Sequence, residues 1–318
     1  MYERIILADD GSALARAAVP RTAVIAAATG AEVLVVRASL AAGTPPDDLD
    51  DEGWEDYLTD EAVAAAAANP LEAEPHMASV VADLRARGVA RVGSLVVHGA
   101  ASEALVATAD EFDVDLLVVS SHGESGIRRA VLGSVAEHLV HNAREAAILV
   151  NPPPLAGNDV IRRVLLPLDG SEVSQIAIPH AEHLARSLGA DLVLLQVTAS
   201  EADLLTAGMP IGTPPQPGIT VEVAQQVARE QHAEAEAELS VLAGALQARA
   251  VPVVDVEVVA GQPADAIIEA VDRLNIDIVV MATHGRGGLG RLLLGSVADA
   301  VARNTERAAV LLVRPDED

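Results

Sequence analysis

GAASEALVATADEFDVDLLVVSSHGESGIRRAVLGSVAEHLVHNAREAAILV, residues 99–150, aligns without a gap to GQPADAIIEAVDRLNIDIVVMATHGRGGLGRLLLGSVADAVARNTERAAVLL, residues 261–312. Eighteen of the 52 positions are identical, and many of the others exchange one aliphatic side chain for another. Such self-similarity at a long spacing is the signature of a duplicated unit. Working outward, IILADDGSALARAAV near the N-terminus matches VLLPLDGSEVSQIAI after residue 163, and AEVLVVRA matches ADLVLLQV. The chain therefore reads as two copies of one domain, residues 1–151 and 160–318. Residues 152–159, part of the breaker-rich run Asn151-Pro-Pro-Pro-Leu-Ala-Gly-Asn-Asp159, form a stiff linker between them.

Each half alternates short continuous apolar runs with longer amphipathic ones. In the second half the pattern predicts strands near 161–167, 190–197, 252–260, 276–281 and 308–313, and helices near 171–188, 221–249, 263–274 and 295–304. Apolar strands alternating with helices imply a parallel sheet covered on both faces. The expected fold is α/β: two tandem open parallel five-stranded sheets with helices on both faces, Rossmann-like. Open sheets of this kind bind ligands beyond the carboxyl ends of the strands, where strand order reverses. The residues after the first and fourth strands of each half thus carry the functional weight.

Composition narrows the chemistry. Hydrophobic residues make up 51% and aromatics 1%, so the core must be built from Val, Leu, Ile and Ala. The formal charge of −26 argues against nucleic acid or an anionic membrane as partner. No apolar run approaches the roughly 18 residues of a membrane span, and the charged start MYERIILADDGS does not read as a signal peptide, so a cytoplasmic protein is expected. The absence of cysteine excludes disulfides and thiol catalysis. All 21 basic residues are arginine, which excludes a Walker A lysine, a Schiff base and a Ser–Lys dyad. The acidic stretch within 40–68 reads as a solvated loop leading into a helix. Paired histidines three apart, such as His180 and His183, lack a third ligand nearby, so no metal site is expected.

After the fourth strand of the second half comes Ala282-Thr-His284-Gly285-Arg286-Gly-Gly288-Leu-Gly-Arg291-Leu-Leu-Leu-Gly295-Ser296, then a helix. Glycines there let backbone amides face an anion, and the helix start at Gly295-Ser296 adds free amides and a favourable dipole. Arg286 and Arg291 can add charge-assisted contacts to phosphate oxygens. The same residues have plainer uses. Ser134-Val-Ala-Glu137 is a capping box and Ser296-Val-Ala-Asp299 a near version. Asp10 and Asp169 each precede Gly-Ser, a pattern equally suited to a turn. His122 and His284 are better read as hydrogen-bonded structural residues than as catalysts, since no base–nucleophile arrangement surrounds them.

This loop resembles the nucleotide signature G-x2-G-x9-G-[ST] of the universal stress protein family. The second half gives Ala282-x2-Gly285-x9-Gly295-Ser296, and the first gives Ser120-x2-Gly123-x9-Gly133-Ser134; the leading glycine is replaced in both. The family's aspartate after strand one, which approaches the adenosine, is matched by Asp169 and by Asp10. The resemblance implies an adenine nucleotide α-hydrolase-like fold and a site for ATP or AMP. Asp169 would read the adenosine, the end of strand two near Val197 would line the base pocket, and the loop to Ser296 would cradle phosphates, with Mg²⁺ accompanying a triphosphate. It also implies that the last strands of the two repeats pair with each other, and that two chains can form a homodimer. The first loop departs further: Glu124 stands where Arg286 stands, a carboxylate costing about 1 kcal/mol beside phosphate even when solvated, and Ser125 and Arg128 replace Gly287 and Gly290. Unequal sites are expected, the second repeat holding the better one. A binding module is expected rather than an enzyme. The alternatives are a slow ATPase or nucleotidyl-transfer enzyme, and a nucleotide-free interaction scaffold.

Overall fold

The computed structural model describes residues 1–39, 75–120, 134–142, 146–150, 160–206, 220–283 and 294–314. The acidic stretch read as a solvated loop falls outside these residues. The chain divides into two compact units, the first ending at Ile161 and the second beginning at Arg162.

The first unit runs β1 (Arg4–Ala8), α1 (Ala13–Arg16), α2 (Val19–Thr29), β2 (Glu32–Ser39), α3 (Pro75–Ala86), β3 (Val92–His98), α4 (Ala101–Glu111), β4 (Leu116–Ser120), α5 (Ser134–Asn142) and β5 (Ala146–Val150). Its strands are parallel in the order β3-β2-β1-β4-β5. The second unit runs β6 (Arg163–Leu168), α6 (Glu172–Gln175), α7 (Ala177–Leu188), β7 (Asp191–Thr198), α8 (Glu201–Thr206), α9 (Val221–Ala248), β8 (Val253–Ala260), α10 (Pro263–Arg273), β9 (Ile278–Ala282), α11 (Ser296–Asn304) and β10 (Ala309–Val313). Here too the strands are parallel, in the order β8-β7-β6-β9-β10. The fold class read from the sequence is thus the one observed.

Burial explains why these runs are strands. Every residue of β9 and β10 is buried, which a parallel sheet requires when helices cover both faces. The helices contribute narrow stripes: α9 buries Ala224, Ala235, Leu239, Ala243 and Leu246 and leaves most of its other residues to solvent. The core of Val, Leu, Ile and Ala that the composition demanded is the core present.

The single helix expected over 171–188 is two. It breaks at Ile176, because Pro179 has no N–H to give the carbonyl of Gln175. The first unit breaks in the same place, between α1 and α2, where Pro20 stands opposite Arg16. Helix α8 went unread in the sequence. Its start is a reciprocal cap: Ser200 N donates to Asp203 Oδ2 at 2.9 Å, and Asp203 N donates to Ser200 Oγ at 3.2 Å. These bonds, the Ser200 hydroxyl first, hold the Asp203 carboxyl below its ordinary range.

Two aspartates tie the units' central strands together. Asp277, 7% exposed just before β9, accepts through Oδ2 from the amides of Arg162 (2.8 Å) and Arg163 (3.0 Å) at the start of β6. Asp115 does the same for Glu3 (2.7 Å) and Arg4 (2.9 Å) in the first unit.

Strand β8 is joined to α10 by a two-pronged ion pair in which Arg273 Nη1 donates to Glu257 Oε1 at 2.8 Å. These bonds hold the Glu257 carboxyl below its ordinary range. The unfolded chain lacks the partner, so the pair's stabilisation is complete above the ordinary carboxylate pKa and is lost as pH falls through the lowered folded value. Arg273→Ala is therefore expected to cost about 0.5–1 kcal/mol at neutral pH. Urea melts should show that difference vanishing in acid.

Candidate functional site

Strand order reverses between β6 and β9 in the second unit and between β1 and β4 in the first. The ladder between β6 and β9 pairs Val164 with Ile278 and Leu165 with Val279, and goes no further. It stops well before the last residues, Leu168 and Ala282, and Pro167, which has no N–H, lies in the stretch beyond. The neighbouring ladders continue: β7 stays paired to Leu168, and β10 to Ala282. A crevice therefore opens at the carboxyl ends of β6 and β9, the place where sheets of this topology take ligands.

Beside it lies a cavity of about 300 Å³, lined by Asp169, Gln196, Val197, Thr198 and Ala199 from the strand ends, and by Gln231, Glu234, Ala235 and Glu238 of α9. Asp169 and Val197, singled out in the sequence, thus meet at one cavity. Asp169 also serves the turn that its Asp-Gly-Ser context suggests. Its Oδ1 accepts from Ser171 N (2.9 Å) and Ser171 Oγ (2.6 Å), and Ser171 caps α6 by accepting from Ser174 N at 3.1 Å. Gly170 between them has φ 74°, which a residue with a Cβ rarely adopts. The turn and the cavity wall use one carboxylate, so the two readings coexist.

On the other side, Ala282 is buried at the end of β9 and Thr283 N donates to Val313 O at 2.8 Å. Gly295 N donates to Thr283 O at 2.7 Å, which holds the start of α11 against the end of β9. Gly295 and Ser296 are therefore fixed beside the end of β9. The capping-box reading of Ser296 is corrected here. Gly295 is the N-cap, with no side-chain cap bond, and Ser296 is the first helical residue. Asp299, expected to complete the box, instead accepts from Arg303 Nε at 2.6 Å. The helix's first backbone bond runs from Asp299 N to Gly295 O, so the amides of Ser296, Val297 and Ala298 precede the ladder and point out of the helix start. His284, Gly285, Arg286, Gly288 and Arg291 lie outside the described residues, as do Gly123, Gly133 and the contrasting Glu124. Ser134 opens α5.

The first unit repeats the turn. Ser12 N donates to Asp10 Oδ1 at 2.9 Å, Gly11 has φ 82°, and Ser12 caps α1 by accepting from Ala15 N at 3.0 Å. The surroundings differ. Asp9, at the position of Leu168, is 4% exposed, accepts from Gly11 N at 3.2 Å, and pairs with His76 Nε2 at 3.2 Å. Superposing the second strands sets Arg37 in place of Gln196. Superposing the left-handed residues after α3 and α9, Gly88 and Ala250, sets His76 in place of Glu238. The Arg37 guanidinium lies over the turn, 3.1 Å from where a Cβ on Gly11 would stand. Charged side chains thus crowd the strand ends of the first unit, where the second has Leu168, Gln196 and an open cavity.

Sequence reading missed Gln196, Gln231 and the cavity role of Glu234 and Glu238. Both glutamates are exposed, but their i,i+4 spacing puts them on one stripe of α9 that also borders the cavity. Among the described residues, no group of three or more His, Asp or Glu could hold a metal, and no helix is long and apolar enough to cross a membrane.

Comparison with known proteins follows the same division. A universal stress protein of Mycolicibacterium smegmatis is 32% identical over 200 residues, 63% of this chain and 62% of the relative's length. One of Mycobacterium tuberculosis is 26% identical over 325 residues, covering 99% of this chain and 96% of the relative. The crystal structure of a universal stress protein from Archaeoglobus fulgidus shares the fold at a TM-score of 0.62 and 17% identity, over 99% of this chain and 97% of that one. The model of the Universal stress protein family matches twice, at residues 1–151 and 161–314. Carrying one copy of the domain in each half, the chain belongs to the universal stress protein family.

Proposed function

We propose that this chain is an adenine-nucleotide-binding regulator whose second repeat holds the nucleotide, ATP or AMP, in the crevice between β6 and β9. The observation that carries the reading is the placement of two unlike walls around one switch point. On one side is a cavity bordered by Asp169, Gln196 and Val197; on the other are the unladdered amides of Ser296, Val297 and Ala298, pinned to the end of β9 through Gly295. A nucleotide has the matching polarity, a nucleoside at one end and phosphates at the other. Amides at a helix start hold phosphate without needing a lysine, of which this chain has none. Arg286 and Arg291 would supply the cationic contacts, and Gly285 and Gly288 give the loop its small residues. Where a triphosphate carries Mg²⁺, Asp169 and Ser296 would be the side chains to hold it.

The Ser171 hydroxyl that donates to Asp169 is already engaged as the cap of α6, so binding without turnover is the proposed activity, in a cytoplasmic stress-response role. Mass spectrometry of gently denatured protein should release AMP or ATP. A single-turnover assay with labelled ATP should show no phosphate release on the timescale of binding. Rapid hydrolysis dependent on Asp169 would replace this reading with an ATPase. Absence of any nucleotide, together with no uptake on soaking, would leave an interaction scaffold.

A further inference from the structure

We infer that Gln196 is the specificity-determining residue of the second repeat, selecting a base with an exocyclic amino group over one with a keto group in that place. The inference rests on the nucleotide reading above and adds to it which chemical edge is read, and by what.

Gln196 lies on β7 opposite Leu168 and is 7% exposed. Among the described residues its carboxamide makes no hydrogen bond, yet it borders the cavity. A ligand that enters the cavity supplies the missing partner. The carboxamide offers an acceptor oxygen and a donor nitrogen side by side. That fork matches the N7 acceptor and N6 amino donor of adenine, the pairing by which glutamine reads adenine in other settings. The corresponding edge of hypoxanthine or guanine shows two acceptors, N7 and O6, and satisfies only one arm of the fork.

The other polar groups around the cavity act in the same direction. Asp169, Glu234 and Glu238 are carboxylates and contribute acceptors, Gln231 and Thr198 add groups that can donate or accept, and among the described residues no cationic side chain borders the cavity. Acceptors favour an amino group and repel a keto oxygen. They also repel phosphates, which directs the nucleoside into this cavity and the anionic end toward α11. The first repeat has lost this reader: Arg37 at the equivalent position is a donor only, and His76 replaces Glu238.

The test uses the full chain and compares ATP with inosine triphosphate, which bears a keto group where adenine bears the amino group, by isothermal titration. Wild type is expected to bind ATP at least about tenfold more tightly. Gln196→Leu, close in volume and without the fork, should weaken ATP about tenfold, leave the inosine nucleotide within about twofold, and so close the gap. Equal binding of the two nucleotides by the wild type overturns the inference while leaving nucleotide binding intact, and needs no variant to fold. A gap that survives in a folded Gln196→Leu protein also overturns it. A wild type that binds neither nucleotide overturns both this inference and the reading beneath it.

Discussion

Asp169→Ala is expected to weaken nucleotide binding by the second repeat about ten- to a hundredfold, the value of a hydrogen bond to a charged group. The carboxylate has about four lone-pair positions, accepts two bonds from Ser171 through Oδ1, and borders the cavity where the hydroxyls of a ribose would lie. The same substitution also removes a turn contact, with a stability cost of about 1 kcal/mol. Asp169→Asn separates the two effects. It retains an acceptor for Ser171, so thermal melting should stay near wild type while affinity falls by a smaller factor. The matching change in the first repeat, Asp10→Ala, should leave total nucleotide binding almost unaltered. Asp10 occupies the same turn, but it faces a strand end crowded by Asp9, His76 and Arg37.

Asp277→Ala should be the most damaging single change to stability away from the apolar core, at about 3 kcal/mol for the second unit. It strips a buried charged acceptor from two backbone amides at the start of β6, leaving both unpaired. Because β6 forms one wall of the crevice, affinity should decline with the unfolding of that unit rather than in the folded protein. Denaturant unfolding followed by circular dichroism, with and without ATP, checks this. Asp115→Ala in the first unit should cost less, since Asp115 is only half-buried.

Sequence reading went furthest where a pattern was local. The gapless repeat gave the duplication, and continuous aliphatic runs gave the strands to within a residue or two. Asp169 and Val197 were marked by the resemblance to the universal stress protein family, and the rule about strand ends pointed to the same place. It failed where two residues distant along the chain meet. Nothing adjacent to Asp9 announces His76, which arrives from a helix 67 residues away. Gln196 in an apolar strand looked unremarkable until α9 was seen to leave it a cavity instead of a partner. Local patterns also misled: Ser296-Val-Ala-Asp299 has the look of a cap and is not one, because Gly295 is already held by Thr283. The working box, Ser200 with Asp203, stood in a stretch to which no element was assigned. Pro179 was in plain view, and a proline near a helix start is usually tolerated; here the break follows from the helical turn that precedes it.

The departure of the two strand-end environments bears on how such a chain would use its duplication. Equivalent positions hold Leu168, Gln196 and Glu238 in one repeat and Asp9, Arg37 and His76 in the other, so the copies keep one backbone while differing in what they can bind. The loop residues Glu124 and Arg286 point the same way from the sequence alone.

Isothermal titration of the full chain with ATP puts the claim of one competent crevice to its most direct test. The account requires a single tight site per chain, weakened by Asp169→Ala and kept on Asp10→Ala. Two tight sites of equal affinity, or a site that follows Asp10 instead, would contradict it.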